Sequence, residues 1–336
     1  MLRGESDEVT AISYHASVKD VQAQPLAANG PFARREWFEK LEATQPQPLF
    51  AVAEDASGAV VLPLRRAGRR LESLLNWYGF TWRPLATPYG SFDSLMIALA
   101  QGLSAHTSHV VLDRLPDEDG TARQLERAFA RTGWLVAREP CDTNRVLPVD
   151  GRSYAEYLES RPGQLRTTLK RKAKKVEVQI VTFFDEDIWA SYEDIYAESW
   201  KPEEGDPGLL RAFAEAEGAA GRIRLAIARH QGEAVAAQFW TVEDGVAYIH
   251  KLAHRESAKP LSPGTTLTAA LMEHVIERDH VGLVDFGTGD DAYKRDWMED
   301  ARPRYRLECW RKGDPRNWPA IGKRRLRTLV SGNGHG

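Results

Sequence analysis

Two glycine turns constrain this chain more than any other feature. Gln231-Gly232-Glu233 and Glu243-Asp244-Gly245 cut residues 223–252 into three short apolar segments, 223–228, 234–242 and 246–252. β-rich runs joined by tight glycine turns read as an antiparallel meander. The loop 257–264 leads into a helix predicted over 265–279, where Leu267, Ala270, Leu271, His274 and Val275 share one face. Residues 281–286 form a buried-type strand. A helical crossover makes that strand parallel to the third meander strand if the two are neighbours.

The first half repeats this order. A helical pattern follows Pro31, with Phe32, Trp37, Phe38 and Leu41 recurring every few residues. Strands are predicted at 49–53, 59–64 and 70–78, with the loop Thr87-Pro88-Tyr89-Gly90 before a helix at 91–103. A strand at 110–112, a helix at 120–132 and two strands at 134–138 and 144–149 complete the unit. A duplicated α+β unit, each with a mixed sheet and helices on both faces, accounts for both halves. The expected boundaries are a lead-in at 1–30, units at 31–150 and 151–310, and a basic tail at 311–336.

Composition narrows the function. The 45 basic and 48 acidic residues give a net charge of -3, so no dedicated DNA-binding surface is expected. Two cysteines cannot build a disulfide framework or a four-thiolate zinc site. No run approaches 18 apolar residues and the first ten residues lack an apolar leader core, so a cytoplasmic protein is expected.

Two motifs carry chemistry. Ser262-Pro263-Gly264-Thr265-Thr266 opens a helix, where unpaired N–H groups and the helix dipole favour an anion. Gly264 lets a phosphate approach the backbone, and the two threonines add hydroxyl donors. The same residues also serve as an ordinary helix start. The second motif, Asp285-Phe286-Gly287-Thr288-Gly289-Asp290-Asp291-Ala292-Tyr293-Lys294, lies where a strand exits into a loop. No kinase glycine loop or catalytic loop precedes its Asp-Phe-Gly. Too little chain follows for Gly287-x-Gly289-x-x-Ala292 to open a dinucleotide fold. His250 and His254 are four apart with no third ligand in view, so no metal is expected.

The order strand, strand, strand, Pro-Gly loop, helix, strand, followed by Asp285-Phe286-Gly287 through Tyr293-Lys294 and Trp297, resembles the GNAT superfamily. More narrowly it resembles the FemAB-like branch of CelD/BcsL-type acetyltransferases. The segment Leu165-Arg166-Thr167-Thr168-Leu169-Lys170-Arg171-Lys172 is similar to that branch, as are Pro31-Phe32 through Trp37 and Leu49 through Ala53. The chain departs from GNAT in lacking the Arg/Gln-x-x-Gly-x-Gly/Ala pyrophosphate loop, in whose place Ser262–Thr266 stands. The resemblance implies two tandem GNAT-like units and transfer of an acyl group from a thioester to an amine. Acyl-CoA is the expected co-substrate, with acyl carrier protein and aminoacyl-tRNA as alternative donors used by relatives of this fold.

The resemblance further implies that a pantetheine arm runs along the third strand near His250, Lys251 and Leu252. The phosphates would meet Ser262, Gly264, Thr265 and Thr266. Strict alternation would turn His250 and Leu252 one way and Lys251 the other. His250 is the candidate base, Asp285 its orienter or an amine ligand, and Tyr293 the proton donor. Trp200, Lys294 and Trp297 are candidate acceptor contacts. Each also has a plain structural role open to it: sheet histidine, turn cap, core tyrosine, solvated lysine, packed tryptophan.

Residues 161–175 hold seven bases and no acid, and 301–327 hold ten bases and two acids. Leu165, Leu169, Ala173 and Val176 give the first segment a narrow apolar seam. A solvated helix packed by that seam, peripheral contact with anionic lipid, and steering of a polyanionic donor all follow from such a pattern. A non-catalytic lipid- or saccharide-binding protein on the same fold is the remaining alternative class.

Overall fold

The computed structural model describes residues 10–22, 26, 30–88 and 91–324. The chain divides into two compact units, Met1–Asp142 with Pro303–Gly336, and Thr143–Arg302. Tyr89, Gly90 and residues 325–336 of the basic tail lie outside the described residues.

The first unit begins with β1 (Ala11–His15), α1 (Arg35–Thr44), β2 (Pro48–Asp55), β3 (Gly58–Ala67), β4 (Arg70–Ser73) and β5 (Leu85–Ala86). It continues with α2 (Phe92–Gly102), β6 (His109–Leu115), α3 (Thr121–Arg131) and the start of β7 (Trp134–Pro148). Helix α1 buries Trp37, Phe38 and Leu41, the face expected from their spacing. Asp55 closes the β2–β3 turn by accepting from the N–H groups of Ser57 and Gly58. Strands β2, β3 and β4 pair antiparallel, and β4 pairs parallel with β6 after the α2 crossover.

The second unit holds α4 (Tyr154–Glu159), α5 (Gly163–Lys172), β8 (Glu177–Val181), α6 (Glu186–Ala197) and α7 (Pro207–Ala219). Then come β9 (Ile223–His230), β10 (Glu233–Glu243), β11 (Val246–His254), α8 (Pro263–Glu277), β12 (Leu283–Thr288) and α9 (Ala292–Trp297). Strand β13 (Asp300–Arg311) follows. The meander is as the glycine turns require. Gln231, Gly232, Asp244 and Gly245 all have positive φ, 51°, 86°, 48° and 74°, the backbone of tight hairpins that match strand twist. Helix α8 packs Leu267, Leu271 and Val275 into the apolar core on one face of this sheet. Helices α6 and α7 cover the other, with Trp189 and Phe213 edge-on to Phe239 at 5.6 and 5.8 Å.

The repeat is completed by an exchange of last strands. Residues 144–148 of β7 pair antiparallel with β12, in the second unit. Residues 305–310 of β13 pair antiparallel with β6, in the first. The unit boundary therefore falls at 142/143, inside β7, where 150/151 was expected, and residues 303–310 belong to the first unit. The two strands expected at 134–138 and 144–149 are one continuous strand, β7, with residues 139–141 exposed. The predicted third strand at 70–78 stops at Ser73.

Candidate functional site

Strands β11 and β12 pair at three positions only, Val246↔Leu283, Ala247↔Val284 and Tyr248↔Asp285. Beyond Tyr248 no described strand pairs with that edge of β11, although β11 continues to His254. The β10–β11 register passes from Phe239↔Lys251 to Trp240↔Ile249, so His250 is an extra, bulged residue. A bulge re-aims side chains. Strict alternation fails here as a result. Both His250 and Lys251 face α6 and α7, while Leu252 faces α8. His250 stacks on Phe239 at 4.9 Å, meets Phe213 edge-on at 5.2 Å and shares a 2.8 Å hydrogen bond with Thr241 Oγ1. Lys251 is buried, with Nζ 2.7 Å from Glu204 and 5.2 Å over the Tyr196 ring. A single pantetheine arm cannot lie on Lys251 and Leu252 side chains together.

The parted edge of β11 leads to the start of α8. Ser262 sits there in the left-handed region, at φ 53°, and its Oγ accepts from Lys172 Nζ at 3.0 Å. A Cβ added at Gly264 would meet His254 and Leu252 only at 3.5 and 3.8 Å, ordinary contact distances. Packing therefore does not demand glycine at this buried position. Thr265 is half-buried, and Thr266 is buried with its hydroxyl donating to Ser262 O at 3.4 Å.

A directional hydrogen-bond chain fixes this helix start. Trp240 Nε1, a donor only, gives to Gln238 Oε1 at 2.8 Å and so sets the amide. Gln238 Nε2 then donates to Thr268 Oγ1 at 2.6 Å and to Gly264 O at 3.1 Å. Thr268, having accepted, can donate to Tyr293 OH at 2.9 Å. The Tyr293 hydroxyl in turn donates to Gly264 O at 3.4 Å, a long bond. Burial pushes its pKa up to about 12, so it stays protonated at neutral pH.

A cluster of lysines lies beside β11. Lys201 stands 5.9 Å over Tyr196 and 5.8 Å over Trp200. Desolvation, then the charge of Lys251, lower its pKa to about 8, against the opposing pull of Glu204. Lys251 is lowered as well, by desolvation, with Glu204 pulling it back. Lys294 donates to Thr288 O and lies 5.2 Å over Phe286. Trp200, 53% exposed, lies tilted against His254 with ring centroids 4.4 Å apart and so stands near Gly264.

The sequence-predicted residues thus separate into groups. Ser262, Gly264, Thr265, Thr266 and Tyr293 come together at the α8 start, with Leu252 and Trp200 close by. Lys251 and Lys294 join Lys201, and His250 stands in its aromatic setting. Asp285 is buried, receiving Asn144 Nδ2 at 3.2 and 3.1 Å and Gly287 N at 2.8 Å, which makes it the clasp of the following turn. Trp297 is a correction. It is fully buried in the core, and its carbonyl accepts from Tyr157 OH at 2.8 Å, so it cannot wall a pocket. Arg161 is another. It is buried against Glu299 and Tyr157 and is absent from any basic surface. Lys172, Lys201, Glu204, Gln238 and Thr268 were missed. Lys201 had a signal: it is one of two bases among eleven acids in 183–217, directly after Trp200.

The equivalent place in the first unit is closed. Past the β4–β6 pairing, Ser73 Oγ accepts from Asp113 N at 3.0 Å. Arg114 Nη1 donates to the carbonyls of Asn76 and Gly79 at 3.1 and 2.5 Å, and Trp82 N donates to Arg114 O at 3.1 Å. Trp82 is buried, with Nε1 on Pro63 O at 3.0 Å. The chain's own residues 74–82 occupy the gap that is polar and open in the second unit.

Residues 163–295 match the acetyltransferase (GNAT) domain family. No curated protein matches the chain in sequence. Its fold is similar to that of FemX, with a TM-score of 0.59 and 10% identity over 86% of this chain and 93% of that one. It is similar to a tandem GNAT protein from the clavulanic acid biosynthesis pathway, at TM-score 0.52 and 14% identity over 89% and 98%. It is also similar to the C-terminal domain of a putative lysylphosphatidylglycerol synthetase from Agrobacterium fabrum, at TM-score 0.53 and 13% identity over 76% and 81%. At these identities the likenesses establish the fold. The family match over 163–295 and the open strand edge fall in the same segment, so the second unit carries a domain of the acetyltransferase (GNAT) family.

Proposed function

We propose that the second unit moves an acyl group from acyl-CoA to an amine. The observation that carries this reading is the unpaired β11 edge, which runs from the bulge at His250 to the hydroxyl-lined start of α8 beside Lys172. An extended thioester arm can pair with such an edge, and its phosphates suit a helix start. The amine nitrogen attacks the thioester carbon, the carbon–sulfur bond breaks, and the sulfur leaves with a proton. Tyr293 OH is the donor toward that sulfur. The acceptor ammonium must first lose a proton, and Lys201 is the group whose pKa suits that task near pH 8.

Thermal shift with CoA, acyl-CoA of several lengths, NAD and ATP tests the donor. A ligand at 100 times its Kd stabilises by about 2.7 kcal/mol. Stabilisation by CoA species alone, with thiol release on adding an amine, is the expected result, and indifference to all CoA species overturns it. Gly264→Ala sharpens the test. It should leave Tm unchanged or slightly higher, because the added methyl finds ordinary contacts, and weaken CoA binding by about tenfold through lost backbone approach.

The base has its own test. A lysine must be neutral to accept a proton, so the rate should rise with pH through about 8 and then level off. Lys201→Gln should remove that limb, whereas His250→Gln should keep it. A limb that follows His250 instead would transfer the role to the imidazole.

Helix α5 favours a second donor class. Arg166, Lys170, Arg171, Lys174 and Lys175 are exposed on and just after it, while Lys172 reaches the α8 start. Such a surface attracts a polyanion, and an aminoacyl-tRNA or an anionic membrane fits that description. Ribonuclease-sensitive transfer with no response to CoA would select the tRNA donor. A cell-envelope acceptor belongs with this reading, by analogy with the proteins of similar fold named above.

A further inference from the structure

The first unit has a groove far in sequence from the donor residues. The β3–β4 turn, the loop before β6 and the Pro315–Asn317 turn form it. It encloses about 640 Å³, and Arg66, Arg69, Arg70, His106, His109 and Arg316 line it. No carboxylate is among the lining residues. The neighbouring acids are already engaged at its margins. Glu72 holds Arg65 at 2.7 Å and Arg70, Glu308 holds His109 at 2.9 Å, and Asp314 holds Arg316 at 2.6 Å. The guanidinium groups of Arg66 and Arg69 have no partner among the described residues.

The imidazoles are held in place. His106 lies against Tyr14 with ring centroids 3.8 Å apart, and His109 stacks on Trp310 at 5.6 Å. Gly68, at φ 62° with open space around it, makes the turn that carries Arg69 and Arg70. Gathering four guanidinium groups around one concavity raises the potential there, and a multiply charged anion relieves the repulsion. Guanidinium forks match phosphate oxygens two at a time. The volume is that of a small-ligand site.

We propose that this groove binds a phosphate-bearing anion of diphosphate size, either free or as a lipid headgroup. The proposal is independent of the donor reading, which concerns the other unit. Calorimetric titration of the full chain with inorganic pyrophosphate tests it, comparing wild type with Arg66→Gln/Arg69→Gln. The double variant should bind at least about tenfold more weakly, with Tm unchanged because neither side chain has a partner to lose. Arg316→Gln should weaken binding in the same sense and serves if the double variant misfolds. Lys172→Gln, at the α8 start of the second unit, should leave this binding intact. Pyrophosphate affinity within twofold of wild type in both groove variants would overturn the proposal, as would a loss confined to Lys172→Gln. Co-sedimentation separates the sources. Phosphatidylglycerol vesicles that release the groove variants but retain wild type would identify a headgroup. Vesicle binding equal in all proteins, with pyrophosphate binding lost, would identify a soluble phosphorylated ligand.

Discussion

Tyr293→Phe is expected to lower kcat by about a hundredfold to a thousandfold while leaving donor affinity nearly unchanged. The ring stays, so its contacts with Phe286 and Trp297, at 6.0 and 6.3 Å between centroids, are kept. Only the hydroxyl goes. Its loss frees Thr268 from one bond, but Gln238 still holds that residue at 2.6 Å. Stability should fall by about 1 kcal/mol, a few degrees in Tm. The pKa pushed up to about 12 keeps the phenol protonated across the assay range. The deficit should therefore be the same at pH 6 and at pH 9. A kcat within threefold of wild type would return Tyr293 to the packing of α8.

Trp240→Ala should cost about 3–5 kcal/mol, the largest stability effect expected of any single change here. Trp240 is fully buried in the core between the sheet and α8. Its removal leaves a cavity and deprives Gln238 Oε1 of its donor. A buried amide without that donor can flip, and then Thr268 and Gly264 lose the contacts that hold the helix start. Donor binding should thus fall further than the stability loss alone would predict. Trp240→Phe, which fills most of the volume, should recover more stability than donor affinity, because it lacks the N–H. Equal recovery of both would show that the hydrogen-bond chain has no part in shaping the site.

The repeated architecture was legible because it rests on local chemistry. Gly232 and Gly245 fix hairpins within a few residues, and Leu267, Leu271 and Val275 mark a helix face without reference to anything distant. The Ser262–Thr266 helix start was legible for the same reason. What the sequence hid depends on register. One extra residue at His250 puts His250 and Lys251 on the same face, and no periodicity shows which residue of a strand is unopposed. The destination of β13 was hidden because strand pairing across almost two hundred residues leaves no local trace, as Glu308↔Val111 illustrates. Trp297 looked like a pocket wall because an indole after a loop has the same letter in either setting. Lys201 is one of two bases in an acidic run, and only the fold brings Tyr196, Glu204 and Lys251 around it.

The exchange of last strands sets an order of assembly during synthesis. Residues 143–302 are contiguous and contain every strand that the second unit needs, including the stretch of β7 that pairs with β12. The first unit, although it is made first, waits for residues 303–311 before β6 gains its neighbour. Until then β6 is an unprotected edge carrying Val110, Val111 and Leu112, the kind of surface that recruits wrong partners. A ribosome releasing this chain slowly near residue 300 would therefore hold a finished second unit tethered to an unfinished, aggregation-prone first one. The dependence on chaperones should lie with the first unit.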